Sequence, residues 1–480
     1  MGDEIAAFAD KVYVPKDALA PVPERLTDLG NAKRLGARHG KDLRYCFKWG
    51  KWLIWDGRRW IKDENGAIDR RAKDTVSNIY REAADSDDEK LRRAISGHAN
   101  KSESEYRIKA MISLAKSQIE IPVDVSDLDK DIFLLNCENG TIDLRTGQLR
   151  DHRREDFITK LVPVTYDEKA ECPLWAAFLN RIFDSNANLI KFLKKAIGYS
   201  LTGSTGERVI FIFHGAGDNG KTTFVSAIEE MLGDYALSTP TETLLHKKTD
   251  AISNDVARLN GARFVAAAES DAGKRLNEGL IKRLAGGKES ITARFLHQEF
   301  FEFQPTFKIF LATNHKPSIK GRDNAIWNRI RLIPFGVTIP KEEQDQDLPN
   351  KLRAEFPGIL RWAVEGALLW QTEKLGLPSE VSEATKCYRE ESDDMRDFIE
   401  DRITVLGGHK TPAPAVWRAY QEWCVKKHMG ADERSSRGEL IEYLESLGFH
   451  REREKSGEHK GRFFWVGFGL KAEASAYEPE

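Results

Sequence analysis

An α/β fold is what this 480-residue sequence predicts, and three observations predict it. A short β-branched and aromatic run, Val209 to Phe213, reads as a buried strand. A glycine-rich turn follows at once. Then Phe224, Val225, Ile228, Met231 and Leu232 fall on one helical face before Gly233 stops the helix. Further on, "RFVAAAES" and "FKIFLATN" are two more apolar strands, each ending on a polar residue.

The turn carries chemistry. Gly215, Ala216, Gly217, Asp218, Asn219, Gly220, Lys221 and Thr222 match G-x-x-x-x-G-K-[ST], four fixed positions that recur by chance in roughly one of fifty chains this long. Glycines fold such a backbone into a nest of N–H donors around an anion, at the positive end of the next helix. Lys221, expected to face solvent until a nucleotide arrives, would reach the β- and γ-phosphates, and the Thr222 hydroxyl would ligate Mg²⁺. The expected nucleotide-binding set therefore runs from Gly215 through Thr223.

The later strands add the rest. Glu269 ends "NGARFVAAAES", where a carboxylate can orient Mg²⁺ and polarise the attacking water. Glu269 and Thr222 are thus the expected metal ligands. "FKIFLATNHKPSI" closes on Thr313-Asn314; an asparagine at that tip, between the phosphate-loop strand and the Glu269 strand, can hydrogen-bond water or the γ-phosphate. "AIWNRIRLIPF" presents Arg329 and Arg331 before another apolar strand. Arg329 reaching into a neighbouring subunit's site would be an arginine finger, a group worth ~10³–10⁵ in rate. Lys221, Glu269, Asn314 and Arg329 are the expected catalytic residues.

Composition sets bounds. Charged residues make up 31% and hydrophobic ones 40%, as in a globular protein with a sizeable core. No apolar stretch reaches membrane-spanning length, and "MGDEIAAFADKVYVPKD" lacks the basic start and apolar centre of a signal peptide. The expected setting is a cytoplasm, with no membrane partner. Cys46, Cys137, Cys172, Cys387 and Cys424 contain no C-x-x-C pair, which leaves neither a zinc site nor a disulfide framework. A net charge of −2 means that any nucleic-acid surface is local.

The stretch from about 130 to 400 resembles the superfamily 3 helicases of the phage and plasmid primase-helicase type, relatives of the poxvirus, parvovirus and polyomavirus replicative helicases. "NGTIDLRTG", "AIGYSLTG", "GAGDNGKTT", "RFVAAAES", "LIKRLAGGKESITARFLHQEFFEFQPTFKIFLATNHKP" and "DNAIWNRIRLIPF" carry the resemblance. It implies an AAA+-like core using ATP and Mg²⁺, a hexameric ring of identical subunits, 3′-to-5′ movement, and single- and double-stranded DNA as partners. It also implies a bacterial host cytoplasm and a separate primase or polymerase, since no primase domain fits upstream. Lys282, Gly286 and Gly287 match the family's "K…GG" positions and Arg294 its basic one, in a segment that threads a β-hairpin into the ring channel. The hairpin tip falls near His297 and Gln298, where relatives often carry lysines and this chain does not. An origin-binding initiator or loader ATPase without processive unwinding is the other function these motifs allow.

The expected domains follow. Residues 1–130 are an N-terminal α+β region, 131–204 a helical collar for oligomerisation, 205–340 the ATPase core, and 341–392 a helical segment packing on the motor. Residues 472–480 are expected to be a disordered tail. In 44–62, Trp52, Trp55 and Trp60 stand beside Arg58 and Arg59, and either stack nucleobases or fill a small β-core. Residues 393–471 combine three amphipathic helices, the last capped by Ser435 or Ser436, with a β-hairpin. That is a winged-helix pattern, similar to the C-terminal domain of many phage primase-helicases. Arg451, Arg453 and Lys455 on its wing are expected to meet DNA phosphates; a solvated wing on a protein-docking domain is the alternative.

Overall fold

The computed structural model describes residues 25–246, 254–268, 274–286, 289–295, 299–320, 324–427, 429–430, 434–456 and 458–471. They divide into two compact units: the chain up to Lys130 with Arg153–Thr159, and Asp131–His152 with everything from Lys160 onward. Among the described residues no helix is long and apolar enough to cross a membrane.

In the first unit α1 (Asp28–His39) starts where the Thr27 hydroxyl caps the Gly30 N–H. An antiparallel meander follows, β1 (Leu43–Cys46), β2 (Lys51–Trp55) and β3 (Trp60–Lys62), then α2 (Ala67–Ala84), α3 (Glu89–Ser102) and α4 (Glu105–Ala115). Buried Asn31 of α1 meets Ser102 and His98 of α3 at 3.0 and 2.8 Å, which satisfies three polar groups away from water. Trp52, Trp55 and Trp60 are core residues here, 8%, 8% and 1% exposed. The Trp60 ring stacks on Phe157, and its indole N–H donates to the Arg154 carbonyl at 2.9 Å. Of the two uses open to these three tryptophans the structure shows the small β-core: their rings are spent on packing.

The second unit opens with a meander, β4 (Leu134–Cys137), β5 (Gly140–Asp143) and β6 (Gln148–Arg150), before the helix pair α5 (Pro173–Ile182) and α6 (Ala187–Leu201). Then come β7 (Ile210–His214), α7 (Lys221–Leu232), β8 (Ala236–Pro240), α8 (Asn254–Arg258), β9 (Phe264–Ala268) and α9 (Glu278–Leu284). A small hairpin, β10 (Ile291–Ala293) and β11 (Phe301–Phe303), precedes β12 (Lys308–Thr313), α10 (Asn324–Trp327) and β13 (Ile330–Pro334).

Five of these strands form one parallel sheet in the order β13-β7-β12-β9-β8. Both its faces are covered, which is why its strands read as near-continuous apolar runs. Phe211, Phe213, Phe264 and Phe310 point to the face shared with α5, α6 and α7, and their alternates Ile210, Ile212, Val265 and Leu311 to the other. Beyond the sheet lie α11 (Leu348–Ala354), α12 (Phe356–Glu373) and α13 (Ser379–Glu391). α12 crosses α6 where Gly198 faces Gly366; a Cβ on Gly198 would sit 2.0 Å from the Ala367 nitrogen. Two buried cations tie the end of α6 to the sheet. Arg263 donates to the carbonyls of Leu201 and Leu134 at 2.6 and 2.8 Å, and Lys308 to those of Thr202 and Ser204.

The C-terminal part consists of α14 (Asp394–Arg402), β14 (Ile403–Pro412), α15 (Ala413–Lys426), α16 (Arg437–Ser446), β15 (His450–Arg453) and β16 (Phe463–Leu470). Ser436 caps α16 in a capping box with Glu439. The expected hairpin gains a third strand, with order β14-β16-β15. β14 escapes a sequence reading because it is almost wholly exposed, with Val405 at 72%, and carries Gly407-Gly408 at an irregularity in its pairing.

Candidate nucleotide-binding site

β7 delivers the chain to the turn. Its last residue, His214, pairs with Thr313 of β12 on one side and Pro334 of β13 on the other. The turn thus leaves the sheet at the carboxyl ends of parallel strands, where open α/β sheets bind ligands. Gly217, Asp218 and Gly220 take φ of +107°, +47° and +81°. At Gly220 angle and space both require glycine, since a Cβ would lie 2.7 Å from Ile182 Cγ2. α7 begins at Lys221 without a side-chain cap, so the N–H donors of its first turn remain for an anion. The cleft above holds about 350 Å³ and is lined by 217–223 with Ala268, Ala312, Thr313 and Asn314.

Lys221 lies along the base of this cleft. It is 5% exposed, and its Nζ donates to the Gly215 carbonyl at 2.7 Å, Asn219 Oδ1 at 2.9 Å and Asn314 Oδ1 at 3.0 Å. The expectation of a solvent-facing Lys221 is corrected. A desolvated charge left unpaired is costly, so the ammonium takes three oxygens in place of water. Burial also pushes it below the usual lysine range. Asn219 donates its own amide to the Phe335 carbonyl at 3.4 Å, which aims Oδ1 at the lysine. Sequence reading placed Asn219 in the loop but missed this holding role; its position two residues before the lysine was the available signal. Thr313 Oγ1 accepts from the His315 N–H at 3.1 Å and donates to the His315 carbonyl at 2.7 Å, shaping the bend that carries Asn314.

β12 runs between β7 and β9, with Ala312 in register with Phe213 and Ala268. Asn314 therefore stands between the phosphate turn and the strand that leads to Glu269. Glu269 itself lies outside the described residues; Ala268, just before it, lines the cleft. Thr222 is exposed in the same cleft and Thr223 half-buried. These residues fit a triphosphate with Mg²⁺: an uncapped helix end, a lysine on exchangeable oxygens and a free-standing hydroxyl. Among the described residues no group of three or more His, Cys, Asp or Glu could hold a metal ion. Mg²⁺ of this kind needs few protein ligands, because phosphate oxygens and waters supply the rest.

Parts of the chain match known proteins. Residues 32–184 match the family model described as "D5 N terminal like", and 213–329 match "Family of unknown function (DUF5906)". A frog virus 3 protein named as a putative helicase is 28% identical over 404 residues, covering 67% of this chain and 41% of that protein. A putative helicase of Acanthamoeba polyphaga mimivirus is 26% identical over 335 residues, covering 64% and 35%. A putative primase of African swine fever virus is 24% identical over 345 residues, again covering 64% and 35%. Over part of its length the chain is similar to the D5-like primase-helicases. It spans about two fifths or less of these viral proteins. The solved apo structure of the NrS-1 C terminal region covers 93% of this chain at a TM-score of 0.48 and 12% identity.

The other expected site residues that are described are not gathered at the cleft. Arg329 precedes β13 at the amino end of the sheet, where its carbonyl accepts from the Ile210 N–H at 2.8 Å and its guanidinium donates to the Ala325 carbonyl at 2.6 Å. A strand length, about 13 Å at ~3.3 Å per residue, separates it from the turn of its own chain. Arg331 donates to the carbonyls of Asn328 and Ile330, both at 2.9 Å. Lys282 is half-buried on α9. Arg294 is exposed just after β10, its guanidinium 4.9 Å from the centre of the exposed Phe300 ring. His297 and Gln298, expected at the hairpin tip, and Gly287 lie outside the described residues.

On the C-terminal hairpin, Arg451 pairs with Glu445 at 3.1 Å and lies over Trp465. Arg453 donates to the Gly461 carbonyl at 3.3 Å, and Lys455 is exposed. Acids interleave with them: Glu452 and Glu454 pair with Lys410 at 3.0 and 3.7 Å.

Proposed function

We propose that this chain is an ATP-dependent DNA helicase, a ring-forming superfamily 3 motor that unwinds a phage, prophage or plasmid-like element during its replication. One observation carries the reading. Lys221 and Asn314, 93 residues apart, meet at 3.0 Å over an uncapped helix end, and Asn314 directly follows β12, the strand between β7 and β9. A nucleotide-dependent motor needs that arrangement, because the residue next to the phosphates then rides on a strand that can report their loss to the rest of the sheet.

ATP would lie along residues 215–223. Lys221 would exchange its three protein oxygens for β- and γ-phosphate oxygens, which restores the full charge that burial disfavours. Thr222 and Glu269 would hold Mg²⁺, whose contribution is to neutralise charge on the phosphates. Arg329, a strand length from its own turn, serves a neighbouring subunit's cleft, and this makes a ring of identical subunits part of the proposal. Hexameric number and 3′-to-5′ movement follow the family resemblance.

Arg294 with Phe300 on the β10–β11 hairpin, together with His297 and Gln298, would grip DNA in the channel. We read residues 393–471 as a winged helix whose hairpin recruits duplex DNA. Strand displacement on a forked substrate tests the whole reading: ATP-dependent unwinding is expected, abolished in Lys221→Ala. ATP turnover with no displacement on either fork polarity would replace it with an initiator or loader.

A further inference from the structure

Phe47, Lys48, Trp49 and Gly50 form the turn between β1 and β2, closed by the Gly50 N–H donating to the Phe47 carbonyl at 3.1 Å, with Cys46 opposite Lys51. The two rings of this turn face solvent. Phe47 is 60% and Trp49 37% exposed, whereas Tyr45 and Trp52 beneath them are 7% and 8%. Tyr45 packs edge-on against both Phe47 and Trp52, at 4.9 and 5.1 Å, so the exposed ring stands on a buried aromatic base.

Cations surround the rings. Lys62 Nζ is 4.7 Å from the Trp49 ring centre and Lys116 Nζ 4.7 Å from that of Tyr45. Lys48 and Lys51 flank Trp49 and are both exposed. Between Lys41 and Asp63 the chain carries seven basic and three acidic side chains, and the acids are engaged locally. Asp42 pairs with Arg71 and Arg154, Asp56 accepts from the N–H groups of Arg58 and Arg59, and Asp63 accepts from those of Ala67 and Ile68. Asp124 is a carboxylate near Lys48.

We propose that this turn is a stacking platform for single-stranded nucleic acid, with Phe47 and Trp49 each taking a base and Lys48, Lys51 and Lys62 the phosphates between. Every base has a π-face, so such a platform is indifferent to sequence. A duplex keeps its bases stacked inside and offers the turn phosphates alone. An apolar protein partner would have to desolvate the ammonium groups in order to reach two rings. A single strand presents flat rings and negative charge in alternation, which matches the turn's order of aromatic, lysine, aromatic, glycine, lysine. The proposal deepens the DNA reading above but uses no residue of the phosphate loop or of the β10–β11 hairpin.

The test is binding of a fluorescent oligothymidine to the full chain, without nucleotide, followed by anisotropy. Phe47→Ala with Trp49→Ala should weaken binding at least about tenfold, while Phe47→Tyr with Trp49→Phe keeps it. Lys48→Gln with Lys51→Gln should flatten the salt dependence by up to ~1.4, at ~0.7 per phosphate on a single strand. Iodouracil-substituted strands should crosslink to the peptide containing 47–51. Parent-like affinity in the alanine pair overturns the proposal, as does an equal loss on blunt duplex, which would mark a general basic surface. Crosslinks confined to residues 289–303 would overturn the platform and leave the motor reading standing.

Discussion

Replacing Lys221 with alanine removes a charge that the fold has already desolvated, and this sets the size of two effects. In the nucleotide-free protein the ammonium makes three hydrogen bonds, to Gly215, Asn219 and Asn314. Bonds to a charged group contribute ~1.5–3 kcal/mol each, but the cost of burying the ammonium opposes them. The oxygens left behind border an open cleft, where water replaces the lost donor. The folded state should therefore change by no more than ~2 kcal/mol, and the variant stays folded.

Ligand binding is affected far more. At a hundred times Kd, a slowly hydrolysed ATP analogue stabilises the parent by ~2.7 kcal/mol, or about 5–10 °C in Tm for a cooperative unit of ~150–250 residues. A hundredfold loss of affinity leaves ~0.4 kcal/mol, about 1 °C. Turnover should fall ~10²–10³-fold, the usual loss when one preorganised donor to a developing charge is removed. The assays are thermal unfolding with and without the analogue, and phosphate release. A variant that keeps the parent's thermal shift, or turns over ATP near the parent's rate, would refute the placement of Lys221 on the phosphates.

Other outcomes follow from the same geometry. Arg329→Ala should lose ~10³-fold or more in hydrolysis while binding the analogue, and mixing it with Lys221→Ala should restore part of the activity; no rescue at any ratio would rule out action between subunits. Replacing Arg451, Arg453 and Lys455 with glutamine should flatten the salt slope of duplex binding by about 2 rather than ~3, at ~0.9 per phosphate, because Glu445 already holds Arg451. Equal slopes would assign this domain to protein docking. Burial, with Arg263 next, holds the Lys308 ammonium well below the ordinary lysine value of 10.5. The unfolded chain therefore binds more protons between that lowered value and 10.5, so stability contributed at this position rises with pH through the window. Urea midpoints for the parent and Lys308→Met, measured from neutral pH upward, should diverge in the parent's favour; a constant difference would contradict the sign.

Much of the parallel-sheet core was legible in the sequence because its signals are local. The phosphate loop is one contiguous run, and its glycines, lysine and threonine state their chemistry at fixed spacing. Strands buried on both faces show as unbroken apolar runs, and α7 and α16 show by periodicity and caps. Outside such runs the reading weakened. β14 has neither alternation nor burial, and only pairing with β16 makes it a strand.

Whether an aromatic ring packs or protrudes is also not a local property. Trp52 and Trp49 share one hairpin, yet the strand faces the core and the turn faces water. The sequence by itself determined which segments could hold a phosphate and which could form strands, because backbone conformation and hydrophobic period are set by neighbours along the chain. Tertiary structure alone decided that β12 lies between β7 and β9, that Asn314 reaches Lys221, and that Arg329 sits at the opposite end of the sheet from its own phosphate turn. Parallel pairing joins residues as far apart as Ile210 and Ile330, and no local preference specifies which strand becomes the neighbour; that choice comes from burying both faces of the sheet at once.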